Sequence, residues 1–260
     1  MKISDIIPSA RAQAYFNRIG FNFDRNMSEK DFFNGLQYAH VTTVPYENLD
    51  ILNHIPLKLD PDSLYEKIVV NRRGGYCFEL NGLFGWLLKD LGFEVHDYFG
   101  RYLRGESDTP MRRHRVLKVV GEENTYICDV GIANLAPRHP LLFTYGEIQE
   151  QFGESYRIEN EPFFGNVVYL KHNSDKWERF FSFTEEEQLD KDYVYASYYL
   201  ENAPDSIFNV KEMVAIKTPN GRKVIDGKMF RIYDEKNMDI PVASPEMMRD
   251  LLEIHYGIKL

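Results

Sequence analysis

The chain has 260 residues, 43% hydrophobic and 27% charged, with a formal net charge of -9. That length suits one large domain or two to three smaller ones around a substantial core. The negative balance argues against nucleic acid or an anionic membrane as partner, because neither gains from meeting such a surface. A small anionic ligand held by a local basic patch stays possible. Two cysteines, Cys77 and Cys128, make no disulfide framework and fit a reducing, cytoplasmic setting. The first fifteen residues lack a continuous apolar core, so no signal peptide is expected. No uncharged run long enough for a transmembrane helix occurs either.

In chain order, the first third reads as helical. Ala12, Tyr15, Phe16 and Ile19 keep helical spacing up to Gly20. Ser28 with Asp31 resembles a capping box ahead of Phe32, Phe33, Leu36 and Tyr38. Asp60-Pro61 supplies an N-cap and a first-turn proline for a helix over 64–70. The run 77–91 is apolar on most sides, which predicts a buried, central helix stopped by Gly92. Gly82 and Gly85 inside it cost about 1 kcal/mol each relative to alanine and predict close approach by another element.

From residue 95 the texture turns to β. Runs at 95–103, 115–120, 125–130, 167–170, 177–183 and 193–199 are rich in β-branched and aromatic residues and are separated by turn residues. Segments 212–217, 221–225 and 229–233 read as a meander with Asn220-Gly221 as a hairpin turn. Ser244-Pro245-Glu246 caps a closing helix carrying Met247, Met248, Leu251, Leu252 and Ile254. The expected class is α+β, divided into a helical unit at 1–90, a β-rich unit at 91–200 and a mixed unit at 201–260.

Cys77 sits where the turn Arg72-Arg73-Gly74-Gly75-Tyr76 hands over to the apolar helix. A helix start offers free N–H groups and partial positive charge, which favour the nucleophilic thiolate. A lone cysteine there reads first as a buried structural residue, so partners must decide. His114 opens the run 114–120, and Asp129 lies in the run 125–130. The residues Gly121-Glu122-Glu123-Asn124 form a plausible hairpin loop between them. If Val120 pairs with Thr125, His114 faces Gly131 and Val116 faces Asp129. His114 and Asp129 then become diagonal neighbours on one face of the ribbon. A slip of one residue would separate them. In the favoured register Cys128 points to the opposite face, and Gly131 leaves space for the histidine ring.

Four blocks then stand in order: Val44-Pro45-Tyr46-Glu47-Asn48-Leu49, Arg72-Arg73-Gly74-Gly75-Tyr76-Cys77-Phe78-Glu79-Leu80-Asn81, His114-Arg115-Val116-Leu117 and Asp129-Val130-Gly131. Together they resemble the arylamine N-acetyltransferase family. The resemblance implies that Cys77 accepts the acetyl group, His114 is its proton partner and Asp129 orients the histidine. It implies a ping-pong reaction from acetyl-CoA to arylamines, arylhydrazines or hydroxylamines, with no metal. It also implies a helical bundle, a β-barrel-like domain and an α/β lid around a papain- or transglutaminase-like cysteine core.

Arg72 and Arg73 are expected to hold the turn through carboxylates, with Glu47 as one partner, while Tyr76 and Phe78 pack. Arg101, Arg104 and Arg112 belong to a basic tract read as meeting CoA phosphates, together with Arg113 and Arg115. After Asp129-Val130-Gly131 the chain has Ile132-Ala133-Asn134 where the family carries an aromatic and further glycines, which bears on the amine pocket. A papain- or transglutaminase-like hydrolase, a polyketide amide synthase and a non-catalytic binding module that keeps the fold are the rival readings, and the oligomeric state is left open.

Overall fold

The computed structural model describes residues 1–172 and 176–260. Helices α1 (Ala10–Ile19) and α2 (Glu29–Thr43) lead into a short strand β1 (Tyr46–Glu47). Short helices α3 (Leu49–Leu52) and α4 (Pro61–Tyr65) then precede the long α5 (Cys77–Asp90). The expected caps are in place: Ser28 accepts from the Asp31 amide and Asp60 from the Ser63 amide. The helix expected over 64–70 divides instead. It is α-helical only to Tyr65, and Glu66–Val70 widens into a π-helical turn.

Strands β2 (Glu94–Tyr102), β3 (His114–Val120), β4 (Thr125–Cys128) and β5 (Leu141–Leu142) follow. After them come β6 (Gln149–Gln151), β7 (Glu154–Glu161), β8 (Gly165–Lys171) and β9 (Glu178–Glu187). These eight strands form one antiparallel sheet in the order β5-β4-β3-β2-β9-β8-β7-β6, curled into a barrel-like shell. Side-chain amides close the seam between the two end strands. Gln149 exchanges hydrogen bonds with the backbone of Leu142 at 2.7 and 2.8 Å, and Gln151 does so with His139 at 2.7 and 3.0 Å. Each glutamine thereby mimics a strand residue and satisfies a sheet edge that would otherwise stay open.

The run 193–199 is a helix, not the expected strand: α6 spans Val194–Asn202. Its tyrosines favour strands by propensity, but the buried positions Tyr193, Ala196, Ser197 and Leu200 recur every three or four residues. Burial at helical period overrides the propensity.

Strands β10 (Met213–Lys217), β11 (Arg222–Asp226), β12 (Met229–Tyr233) and β13 (Met238–Pro241) form a second antiparallel sheet, backed by α7 (Pro245–Tyr256). Its own core joins Val214, Ile225, Phe230, Val242, Leu252 and Tyr256. The edge of this sheet is β1, which pairs Tyr46 with Ala215 and Glu47 with Val214. The main core runs from α1, α2 and α5 into the inner face of the barrel. Close approach at the α5 glycines is observed as expected. A methyl on Gly82 would lie 3.0 Å from Arg115 and from Leu64, and one on Gly85 would lie 3.2 Å from Leu117. Among the described residues no helix is long and apolar enough to cross a membrane.

Candidate active site

Cys77 is the first residue of α5 and is almost fully buried. Its Sγ lies 3.6 Å from the carbonyl of Arg113. The turn before it is built from charge and backbone together. Glu79, in the first turn of α5, accepts the Tyr76 amide at 3.0 Å, which fixes the helix start. Lys67, from the π-helical turn, bridges Glu79 and Asp50 at 2.7 Å each. Arg73 bonds Glu47 at 2.8 Å and Asp50 at 2.9 Å, as expected of it. Arg72 acts differently from expectation. Its side chain is exposed, and its backbone takes a left-handed φ of 56°. Its carbonyl accepts from buried Arg18 at 3.2 Å.

Burial raises the carboxyl of Glu79, with Lys67 pulling it back and Glu47 adding to the rise. Lys67 is the converse: burial opposes its charge, but Glu79, Glu47 and Asp50 outweigh burial and raise its pKa. Gly74 is required by the close chain crossing, because a methyl there would sit 2.0 Å from the Pro45 carbonyl. Tyr76 and Phe78 are packing residues. The Tyr76 hydroxyl shares a 2.6 Å hydrogen bond with Ser197, and Phe78 rests on Phe99 and Tyr193.

The β3–β4 ladder has the expected register, with Val120 opposite Thr125 and Leu117 opposite Cys128. His114 and Asp129 meet accordingly, the imidazole Nε2 lying 2.5 Å from Asp129 Oδ2. The other carboxylate oxygen accepts from Asn81 Nδ2 and from the Gly131 amide, both at 2.9 Å. Burial alone would strip the proton from His114. The charge of Asp129, its hydrogen bond, and the hydrogen bond and charge of Cys77 outweigh burial and raise the histidine pKa to about 10. The imidazole is therefore held as a cation beside the sulfur at neutral pH.

Cys128 faces the core, and burial, with Asp129 nearby, pushes its thiol pKa up. Gly131 is needed for a different reason than the one expected. A methyl there would lie 2.8 Å from the Cys77 Cα and from Asn81 Nδ2, so the bare backbone makes room for the start of α5 rather than for the histidine ring.

Asn81 is the residue that sequence reasoning left without a role. It donates to the Arg115 carbonyl at 2.7 Å and to Asp129, and its Oδ1 accepts the Val130 amide at 2.8 Å. One buried amide thus ties the nucleophile helix to the strand pair that carries the histidine and carboxylate. The available signal was its place four residues after Cys77, on the same helix face.

A cavity of about 220 Å³ opens on Cys77 and His114. Tyr46, Tyr102, Ile132 to Leu135, Phe208 and Met213 form most of its wall, with Arg113 at its polar side. The departing loop Ile132-Ala133-Asn134 is therefore cavity wall. Arg101, Arg104 and Arg112 do not line this cavity. Arg101 donates to the Pro110 carbonyl, Arg104 pairs with Glu178 at 2.8 Å and Arg112 with Glu186 at 3.3 Å. Arg115 leaves the surface tract altogether: it is buried between Asp97 and Asp190.

A cysteine at a helix start, a charged imidazole and a carboxylate grouped at one apolar cavity define a cysteine-dependent acyltransferase on a cysteine-protease-like core. A family model described as N-acetyltransferase matches residues 31–260. The chain is 31% identical over 254 residues to the arylamine N-acetyltransferase of Mycobacterium tuberculosis, covering 95% of this chain and 89% of the relative. The solved arylamine N-acetyltransferase of Salmonella typhimurium superposes with a TM-score of 0.90 at 28% identity, covering 97% and 92% of the two chains. A Mycobacterium marinum arylamine N-acetyltransferase in complex with CoA gives 0.87 at 28% identity, covering 95% and 92%. The chain belongs to the arylamine N-acetyltransferase family.

Proposed function

We propose that this enzyme transfers an acetyl group from acetyl-CoA to the nitrogen of arylamines, arylhydrazines or hydroxylamines through an acetyl-Cys77 intermediate. The observation that carries the reading is the His114–Asp129 hydrogen bond with His114 and Cys77 together at the wall of one apolar cavity. In the first half-reaction the Cys77 thiolate attacks the thioester carbonyl, the bond from that carbon to the CoA sulfur breaks, and His114 gives its proton to the departing thiolate. In the second, the amine nitrogen attacks the acetyl carbon and loses a proton to His114, while the bond to Cys77 breaks and restores the thiolate. Amide groups at the start of α5, that of Cys77 included, would stabilise the tetrahedral oxyanion.

In this reading residues 1–90 supply the nucleophile, 91–200 the histidine and carboxylate, and 201–260 a lid. Phe208 and Met213 in the cavity wall support the last assignment. Arg101, Arg104 and Arg112 meet the CoA phosphates on entry. Since each is already bonded within the protein, their part is to draw the donor in by charge. Both cysteines are free, and a reducing cytoplasm would keep Cys77 reactive.

Intact-mass measurement tests the proposal. Folded enzyme mixed with acetyl-CoA and no amine gains one acetyl group on the Cys77 peptide, and an arylamine then removes it. Folded protein whose Cys77 stays unmodified under these conditions would sink the reading.

A further inference from the structure

Between the barrel and the second sheet lies a cavity of about 330 Å³ whose charge runs against the acidic character of the chain. Arg138, Glu154, His172, Lys217, Arg222 and Tyr233 bound it. Arg138 and Lys217 are buried at 4% and 2% exposure, and Arg222 is half-buried. Among the described residues, one buried carboxylate, Glu154, stands against these three cations. It takes the Lys217 ammonium at 3.1 Å and the Tyr156 hydroxyl at 2.8 Å, with His172 Nδ1 at 3.4 Å. Among the described residues Arg138 is bonded to neutral acceptors, the carbonyls of Thr218 and Gly221. Asp234 is at the exposed rim, where it accepts the Lys236 amide.

Arg222 is the least satisfied of the group. Its Nη1 meets His172 Nε2 at 3.1 Å, which makes that ring nitrogen an acceptor and the imidazole neutral. Its guanidinium lies 4.4 Å over the Tyr233 ring, and its Nε–H is buried without an acceptor. Arg104 adds positive field at Arg222 and His172 from the barrel side. Burial lowers the Lys217 pKa to about 8, Glu154 opposes that, and Arg138 and Arg222 reinforce it. Among the described residues the cluster is short of negative charge, and buried cations without matching anions are costly. A phosphate group supplies that charge with several acceptor oxygens, and guanidinium groups bind it in fork geometry.

A further groove has wall residues in common with both this cavity and the Cys77 cavity. This groove, of about 270 Å³, shares Tyr46, Ala133, Asn134 and Met213 with the Cys77 cavity and shares Tyr233 with the basic cavity. We propose that the cavity at Arg138, Lys217 and Arg222 is a phosphate-binding site, taking a phosphate of the acyl donor whose thioester reaches Cys77 along this groove. The assignment of the donor rests on the acetyl-CoA reading above.

Calorimetric binding of CoA and of orthophosphate to wild type and to Arg222→Gln tests it. The variant binds CoA about tenfold more weakly or worse, as loss of a charge-assisted contact implies. Arg222→Lys recovers part of the loss, and orthophosphate competes with CoA in the wild type. If orthophosphate raises the wild-type Tm, fails to raise that of Arg222→Gln and does not compete with CoA, the phosphate site stands and its source is the free ion. Equal CoA affinity and equal orthophosphate response in the two proteins overturn the site. Should Arg222→Gln not fold, the wild type decides. No Tm rise in phosphate over chloride at equal ionic strength, with no competition against CoA, overturns it as well. S-acetyl-N-acetylcysteamine, a thioester without phosphate, separates the two readings. If neither it nor acetyl-CoA acetylates wild-type Cys77, the transfer reading has failed, whatever the cavity binds.

Discussion

His114 keeps its proton only because Asp129 and Cys77 together outweigh burial. Its folded pKa of about 10 lies above the ordinary value of 6.5, so the native state binds the proton more tightly than the unfolded chain does. The resulting stabilisation is fully present below the ordinary value and is lost as pH rises through the folded one. Replacing Asp129 by Asn leaves burial unopposed by the carboxylate. Denaturant unfolding should then show the wild type losing stability between about pH 7 and pH 10 more steeply than Asp129→Asn. The same variant should acetylate Cys77 at neutral pH about 10³-fold more slowly or worse, read by rapid-quench mass measurement. Asn81→Ala should cost about 2–4 kcal/mol, because it leaves buried partners of Arg115, Asp129 and Val130 unsatisfied, and should slow Cys77 acetylation as well. The histidine–aspartate pair was legible because hairpin register fixes which side chains share a face. Asn81 was not, since an uncharged amide inside an apolar helix declares no partner.

At the scale of elements, the start of α5 depends on a buried charge network below it. Removing one member leaves the others uncompensated, so Lys67→Met should destabilise the fold by about 3–5 kcal/mol in chemical denaturation. Adding Glu79→Gln should recover part of that loss. Full additivity of the two changes would show that the pair is not coupled. Gly131→Ala pushes a methyl against the Cys77 Cα from the strand side. It should lower the rate of Cys77 acetylation more than it lowers stability, measured on the same protein by mass kinetics and by Tm. The helix ends with Ser28 and Asp60 were readable because cap chemistry is local. The π-helical turn at Glu66–Val70 was not, because Lys67 there is held by Asp50 and Glu79, residues remote in sequence. The tyrosine-rich α6 misled for a related reason: the surface that buries its inner face lies elsewhere in the chain.

Across the whole molecule, the α+β class and the second sheet could be read from texture, while the closure of the barrel could not. Strand β7 alternates inward Glu154, Tyr156 and Ile158 with outward residues, but a glutamate at an inward position hides the pattern. The glutamine seam carries no hydrophobic signature at all. The segment that leads into the second sheet is held by one asparagine. Asn48 donates to the carbonyls of Phe208 and Lys211 at 2.9 Å and accepts the Met213 amide at 2.8 Å. Asn48→Ala should raise the hydrogen-exchange rate of amides at 208–213 by local opening and should raise the KM for the amine, since Phe208 and Met213 wall the cavity.

The Asn48–Met213 contact spans 165 positions of chain, whereas the hairpin that unites His114 with Asp129 spans 15. Local contacts form readily and distant ones carry a larger loop-closure cost, so these two parts of the site mature at different times. A chain still being synthesised has exposed its cysteine, histidine and aspartate long before residues 208–213 leave the ribosome. Until then the Cys77 cavity lacks the part of its wall that Phe208 and Met213 supply. Phe208 and Met213 are thus the last pieces of that wall to be made, and what they add to it is the far side of the space facing Cys77.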